Sequence, residues 1–348
     1  MSPDAQPTQT IVIQEKKESM FGRFGKVLIA VVVILVIALM GLSAQYQSYF
    51  SEPGGPQEKY HSLSKTATDK IAIISVTGTI IEGDDFAKKQ IDLVRKDDSV
   101  RGLVLRINSP GGTVTYSDYL LHHLRELREA KGDSFPVVVS MGSLCASGGY
   151  YIAMAVGDEE DVIFAEPTTW TGSIGVVIPH YNLVGLMQEY GVEEDSITSG
   201  KFKRMGSPTR EMSPEERELF QELVDETYED FLDIVRSGRP KFREDDAALK
   251  DVAQGQIFTA TQAVDNGLVD KIGFIEAAIE RTCELAGVST SSVRCVEYKK
   301  QLTPFDALMN AQAASQSQGP LGELRAFFDL TTPRAYYLYT TLPAMIQR

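Results

Sequence analysis

Between Val27 and Ala44 the chain runs for 18 residues without a charge or a proline. Hydrocarbon offers the backbone no water, so a single stretch of this kind has one stable solution inside a bilayer, a helix. At 1.5 Å per residue it reaches roughly 27 Å, enough for a thin bilayer core. Lys16, Lys17, Arg23 and Lys26 precede it, whereas the flank that follows, up to Tyr60, holds one basic residue, Lys59. This asymmetry predicts a cytoplasmic N-terminus and an extracytoplasmic remainder at the cell membrane. A cleaved signal peptide calls for a shorter leading region and a better small-residue site than Leu42-Ser43-Ala44. An amphipathic core helix calls for a polar face, which this run lacks. Residues 1–26 therefore read as a cytoplasmic tail and 27–44 as a transmembrane helix. Residues 45–68 read as a linker, polar and broken at Pro53-Gly54-Gly55-Pro56.

From Ile71 the texture changes. Short runs rich in Val and Ile at 71–76, 102–107, 136–141, 161–165 and 173–178 have the length of buried strands. Amphipathic stretches such as 116–130 lie between them, and strands alternating with helices indicate an α/β domain. A long helix is expected from Ser213 to about Val235, with Ser213 as N-cap, Pro214 in its first turn and Glu216 closing a capping box. Residues 255–273 read as strand, turn, short helix and a further strand. Hydrophobic content of 43% and charge of 24% are those of an ordinary globular protein. The formal net charge of -14 argues against nucleic acid as a partner, because phosphate neutralisation needs clustered Lys and Arg. Cys145, Cys283 and Cys295 match no zinc spacing. They read as small buried residues, with a Cys283–Cys295 disulfide as the alternative in an exported domain.

Two glycine-rich turns carry candidate chemistry. In 142–155 a strand runs into small residues and then a helical pattern, with Ser147 at the turn and Gly148-Gly149 after it. A hydroxyl at a helix start, with glycines where substrate must approach the backbone, has the logic of a nucleophile elbow. A capping serine beside a glycine turn has the same local pattern. Asn108-Ser109-Pro110-Gly111-Gly112 follows another strand, and such a loop can present N–H groups to a carbonyl. A serine nucleophile needs a base, and the chain has four histidines. His61 is in the linker, His122 and His123 lie mid-helix where a surface role is expected, and His180 alone is placed for a Ser-His-Asp arrangement. The alternative base is Lys201 or Lys203, before the long helix. A free lysine titrates near 10.4, and burial without a carboxylate partner lowers that by up to roughly 3–5 units. Residue types alone leave the choice open.

Taken together, five blocks in order resemble signal peptide peptidase A, the Ser-Lys branch of the Clp protease/crotonase-like superfamily. They are LRINSPGG (105–112), ASGGYYIA (146–153), TGSIGV (171–176), SGKFKRMGSP (199–208) and GQIFTATQAVDNGLVD (255–270). The resemblance covers about residues 69–298 and implies an α/β spiral of β-β-α units there. It implies Ser147 as nucleophile, Lys203 rather than Lys201 as base, and Ser173 as the residue that orients the lysine. Backbone N–H groups of Gly112 and Gly148 would form the oxyanion hole. The implied activity is endopeptidase cleavage of remnant signal peptides or other membrane-adjacent polypeptides. No metal, nucleotide or other cofactor is implied. One copy of the blocks resembles the half-length form, in which protomers form a homo-oligomer and Ser147 meets Lys203 of a neighbour.

Other functions fit the same superfamily. A membrane protease with regulatory substrates has the same blocks. A catalytically silent scaffold leaves the retained Ser147 and Lys203 without a reason, and an acyl-CoA enzyme has no evident need of an anchor. Residues 299–348 read as a small, polar linker at 310–323 and an aromatic, strand-like end at 333–345. That end is expected to reach the substrate groove and gate it, with a simple packing strand as the alternative.

Overall fold

A computed structural model describes residues 20–50, 55–132, 134–300 and 336–338. The chain divides into two compact units, residues 1–53 and 54–348. In the first, helix α1 (Met20–Phe50) contains a 20-residue apolar span, Phe24–Ser43, none of it buried. Leu28, Ile34 and Leu39 each expose more than half their surface. Bare apolar surface on this scale marks a face that lipid or another apolar partner covers.

The second unit contains strands β1 (Pro56–Leu63), β2 (Lys70–Thr77), β3 (Val100–Ser109), β4 (Gly111–Thr113), β5 (Val137–Ala146) and β6 (Ile163–Ala165). They are followed by β7 (Trp170–Gly172), β8 (Ile257–Thr259), β9 (Lys271–Ile272), β10 (Arg294–Lys300) and β11 (Tyr336–Leu338). Helices α2 (Phe86–Lys96), α3 (Val114–Lys131), α4 (Gly148–Ala153), α5 (Val184–Glu189) and α6 (Pro214–Gly238) intervene. So do α7 (Lys241–Glu244), α8 (Asp246–Val252), α9 (Ala260–Asp265) and α10 (Ile275–Leu285).

The main sheet runs β1-β10-β2-β3-β5-β6-β9. Every neighbouring pair from β10 to β9 is parallel, and β1 closes one edge antiparallel to β10. Residues 71–74, 103–105 and 137–139 are buried along consecutive positions. Both faces of these strands are covered, which is why their sequences show unbroken apolar runs and no alternation. The core is one cluster joining this sheet to the inner faces of α2, α3, α4, α6 and α10. The capping box forms at Ser213 and Glu216. The helix continues past Val235 to Gly238, where a Cβ would lie 2.7 Å from Met154 Sδ, so the missing side chain permits close packing. All three cysteines are free and buried.

Two sequence expectations need correction. The stretch taken as a linker, 45–68, contains the end of α1 and the whole of β1. That strand exposes four consecutive residues and is held by its backbone pairing to β10, so its side chains carry almost no core signal. The run 173–178 is not a strand. The strand is β7, immediately before it, and the chain leaves the sheet at Ser173, which has φ +52°. Residues 301–335 and 339–348, with the polar stretch 310–323, lie outside the described residues.

A buried ion pair ties the end of α6 to the turn before β9. Arg239 Nη1 donates to Asp270 Oδ1 at 2.6 Å, and Asp270 Oδ2 accepts from the amides of Val162 and Ile163. Asp270→Ala leaves the Arg239 guanidinium without its counter-charge, holding only Gly267 O, and two amides unpaired, a loss of about 3–5 kcal/mol. The expected result is a melting temperature lower by roughly 10 °C, read by differential scanning calorimetry.

Candidate active site

The register of β5 and β7 builds the centre of the site. These strands are parallel, with Ala146 opposite Gly172. Ser147 and Ser173 are the next residues on each, so they leave the sheet side by side. The Ser147 amide donates to Gly172 O at 2.8 Å, and the Ser173 amide donates to Gln256 O at 2.6 Å. Both serines are buried, and both have left-handed backbones, φ +53° and +52°. Among the described residues only four non-glycine positions have positive φ, and these two account for half of them. Such strain persists where surrounding structure holds it, and it concentrates at functional positions. Ser147 is the N-cap residue of α4, so the free N–H groups of the first helical turn lie beside its side chain.

Gly111 and Gly112 stand opposite. Ile80 N donates to Gly111 O and Thr113 N donates to Ile80 O, each at 2.9 Å. That edge of β4 is therefore committed to Ile80. Alternation along a strand turns the N–H and C=O of Gly112 the other way. A Cβ on Gly112 would lie 1.8 Å from Ile80 O, and one on Gly148 would lie 2.4 Å from Ser117 Oγ. Both positions require glycine because backbone and helix approach too closely for any side chain.

The free edge of Gly112 is covered by the end of the chain. Strand β11 pairs antiparallel with β4, and Tyr337 faces Gly112. Tyr336 exchanges both backbone hydrogen bonds with Val177, at 3.0 and 3.1 Å. The segment thus lies as an extra strand between 111–113 and 177. Its carbonyl at Tyr337 sits 3.1 Å from the point where a Cβ on Gly148 would be and 2.1 Å from that on Gly111. The Tyr337 ring is 1% exposed, stacks on Tyr151 at 5.0 Å and tilts against Phe231 at 4.5 Å. Its hydroxyl donates to Thr227 O at 3.0 Å. Tyr151 Oη donates in turn to Asp118, and burial followed by that bond pushes the Tyr151 hydroxyl well above the usual phenol range.

The candidate bases are distributed differently from the serines. Lys203 is exposed, and among the described residues its ammonium has no hydrogen bond or ion pair. A single protomer does not bring it into hydrogen bonding with Ser147. Lys201 is committed to an ion pair with Glu215. Among the described residues His180 has a buried Nε2 without a partner and lines a separate cavity of about 140 Å³ with Met212 and Phe220, so these residues form no Ser-His-Asp arrangement. The segment around the lysines packs thinly: α5 has no buried residue, and Tyr181, Leu186, Tyr190 and Ile197 are exposed. Beside Ser173 a cleft of about 550 Å³ opens between Val176, Val224, Asp225, Tyr228 and Ala253. The sequence reading missed Val177 as the second groove edge, and missed Tyr151 and Phe231 as walls of an aromatic pocket. Val177 sits in a run read as an ordinary strand, and the two rings converge only through the packing of α4 on α6.

The family model for peptidase family S49 matches residues 129–289. A putative signal peptide peptidase SppA of Enterococcus faecium is 33% identical over 290 residues, which cover 77% of this chain and 81% of that protein. The chain belongs to peptidase family S49. A putative protease of Synechocystis is 39% identical over 230 residues, covering 66% of this chain and 79% of that one. Protease 4 of Salmonella typhi is 32% identical over 268 residues, 74% of this chain but only 41% of its own length. As an S49 member the chain is a serine-type peptidase, similar to signal peptide peptidase A, and its parallel-rich α/β sheet is of the Clp protease/crotonase-like kind.

Proposed function

We propose that this S49 peptidase is a membrane-anchored endopeptidase with Ser147 as nucleophile and Lys203 of a neighbouring protomer as base. The observation that carries the reading is the pair Ser147–Ser173, held side by side in left-handed conformations beside the Gly112 backbone edge that β11 occupies. Ser147 Oγ attacks the substrate carbonyl and passes its proton to the Lys203 amine. The oxyanion accepts hydrogen bonds from the Gly112 and Gly148 amides. Collapse expels the amine product, which takes the proton back from Lys203. Water, deprotonated by the same amine, then hydrolyses the acyl-enzyme.

A neutral lysine needs desolvation, and an exposed Lys203 within one chain has none. The cleft beside Ser173 has room for a lysine from a second copy, with Val176, Val224 and Ala253 as apolar parts of its lining and Asp225 as its one carboxylate. The thinly packed 181–202 segment is then the arm that reaches across. Helix α1 anchors the unit in the cell membrane, with the peptidase unit on the extracytoplasmic side, and restricts substrates to remnant signal peptides and other membrane-adjacent polypeptides. Regulatory membrane substrates are the alternative in the same chemistry.

Activity-based labelling tests the assignment. A fluorophosphonate should modify Ser147 in the wild type and nothing in Ser147→Ala. Lys203→Ala should abolish turnover while Lys201→Ala keeps most of it. A dead Lys201→Ala with an active Lys203→Ala would overturn the choice of base.

The end of the chain supports a second element, a gate. β11 occupies the backbone edge where an extended substrate would bind, with its Tyr337 carbonyl close to Gly111 and Gly148. The bound tail is then a competitor for the peptidase's own groove.

A further inference from the structure

We propose that the outer face of α3 carries a site for a divalent transition-metal ion such as Zn2+, held by His122, His123 and Glu126. Among the described residues these form the one group of three His, Cys, Asp or Glu side chains whose ligand atoms all lie within 4.8 Å of one another. The helix itself brings them together, since positions three and four apart share a face. His123 Nδ1 stands 2.7 Å from Glu126 Oε2, and His122 Nε2 stands 3.4 Å from Glu126 Oε1.

The first contact is a hydrogen bond; the second is a longer approach between i,i+4 neighbours on the helix. His122 is 62% exposed, free to point into water, and 3.4 Å is long for a bond to a carboxylate. It also matches the spacing of two ligands on one ion: two atoms each 2.0–2.1 Å from a tetrahedral ion stand about 3.3–3.4 Å apart. The His123 contact is a hydrogen bond to the other carboxylate oxygen, which ligation would replace. Two imidazoles with one carboxylate favour Zn2+ or its first-row neighbours over Ca2+ and Mg2+, which prefer oxygen.

The surroundings hold two of the ligands in place. His123 is 15% exposed, and its ring meets Tyr119 edge-on at 4.4 Å. Arg95 Nη1 lies 3.4 Å from Glu126 Oε2 and orients the carboxylate from α2, as outer partners of metal ligands do. Three protein ligands leave a position for water or for a side chain of another molecule.

The test is calorimetric titration of the untagged full-length chain, in detergent and freed of metal with EDTA, against Zn2+ alone. The expected result is one saturable site per chain. His122→Ala, His123→Ala and Glu126→Gln should each weaken it at least tenfold. Glu126→Gln keeps a hydrogen-bond partner for His123, so its effect separates ligation from simple helix packing. Circular dichroism of each variant verifies the helix. Absence of saturable binding, or binding unchanged in the double variant His122→Ala/His123→Ala, overturns the site. The titration does not depend on peptidase activity, so its outcome is independent of the dyad assignment.

Discussion

Chains carrying Ser147→Ala and chains carrying Lys203→Ala, each inactive alone, are expected to regain peptidase activity when assembled together. Loss of a nucleophile or its base removes covalent catalysis, and each single variant should fall by at least about 10³-fold in kcat. In a mixed assembly the Lys203→Ala chain still supplies Ser147, and the Ser147→Ala chain still supplies Lys203. Random mixing in equal amounts places both intact groups at about one interface in four, so roughly a quarter of wild-type turnover should return. A site completed within one chain predicts no recovery at any ratio. The measurement is turnover of a fluorogenic peptide after co-expression, with fluorophosphonate labelling to count competent sites. Mixed assemblies that form but stay inactive would refute the shared site while leaving Ser147 as nucleophile intact.

Removing the tail should move KM and leave kcat alone. The segment that pairs with Gly112 is tethered, so it competes at an effective concentration of about millimolar. Its hold depends on Tyr337, buried between Tyr151 and Phe231 with its hydroxyl on Thr227 O. Truncating a buried aromatic costs about 3–5 kcal/mol where the pocket does not collapse. Tyr337→Ala, or truncation after Gln318, should therefore lower the apparent KM at least tenfold. If β11 is only a packing strand, the same changes lower the melting temperature and leave KM where it was. That result, in an intact oligomer, would dispose of the gate.

The groove also shows where local pattern and long-range pairing part. Ser213, Pro214 and Glu216 announce a helix start because capping is satisfied within one turn. The runs at 71–76 and 102–107 announce strands because burial on both faces leaves only apolar positions. β1 gave no such signal, since an edge strand is held by backbone hydrogen bonds that any side chains permit. The segment 173–178 misled for the opposite reason. Its Val and Ile have strand character, but the backbone turns away from the sheet at Ser173.

The amino-acid sequence by itself determined the apolar N-terminal run, the alternating α/β order, and the glycine and serine blocks by which the chain resembles signal peptide peptidase A. All of these are read from neighbours along the chain. Only the tertiary structure decided which of them meet. The parallel register of β5 and β7 sets Ser147 beside Ser173, and Ile80 turns the Gly112 amide outward. The pairing of β11 covers the Gly112 edge, and Lys203 lies exposed in a thinly packed segment without a hydrogen bond to Ser147 of its own chain. Each of these is a pairing between distant segments, set by which edges and faces remain unsatisfied once the core is buried, and no stretch of residues encodes it locally.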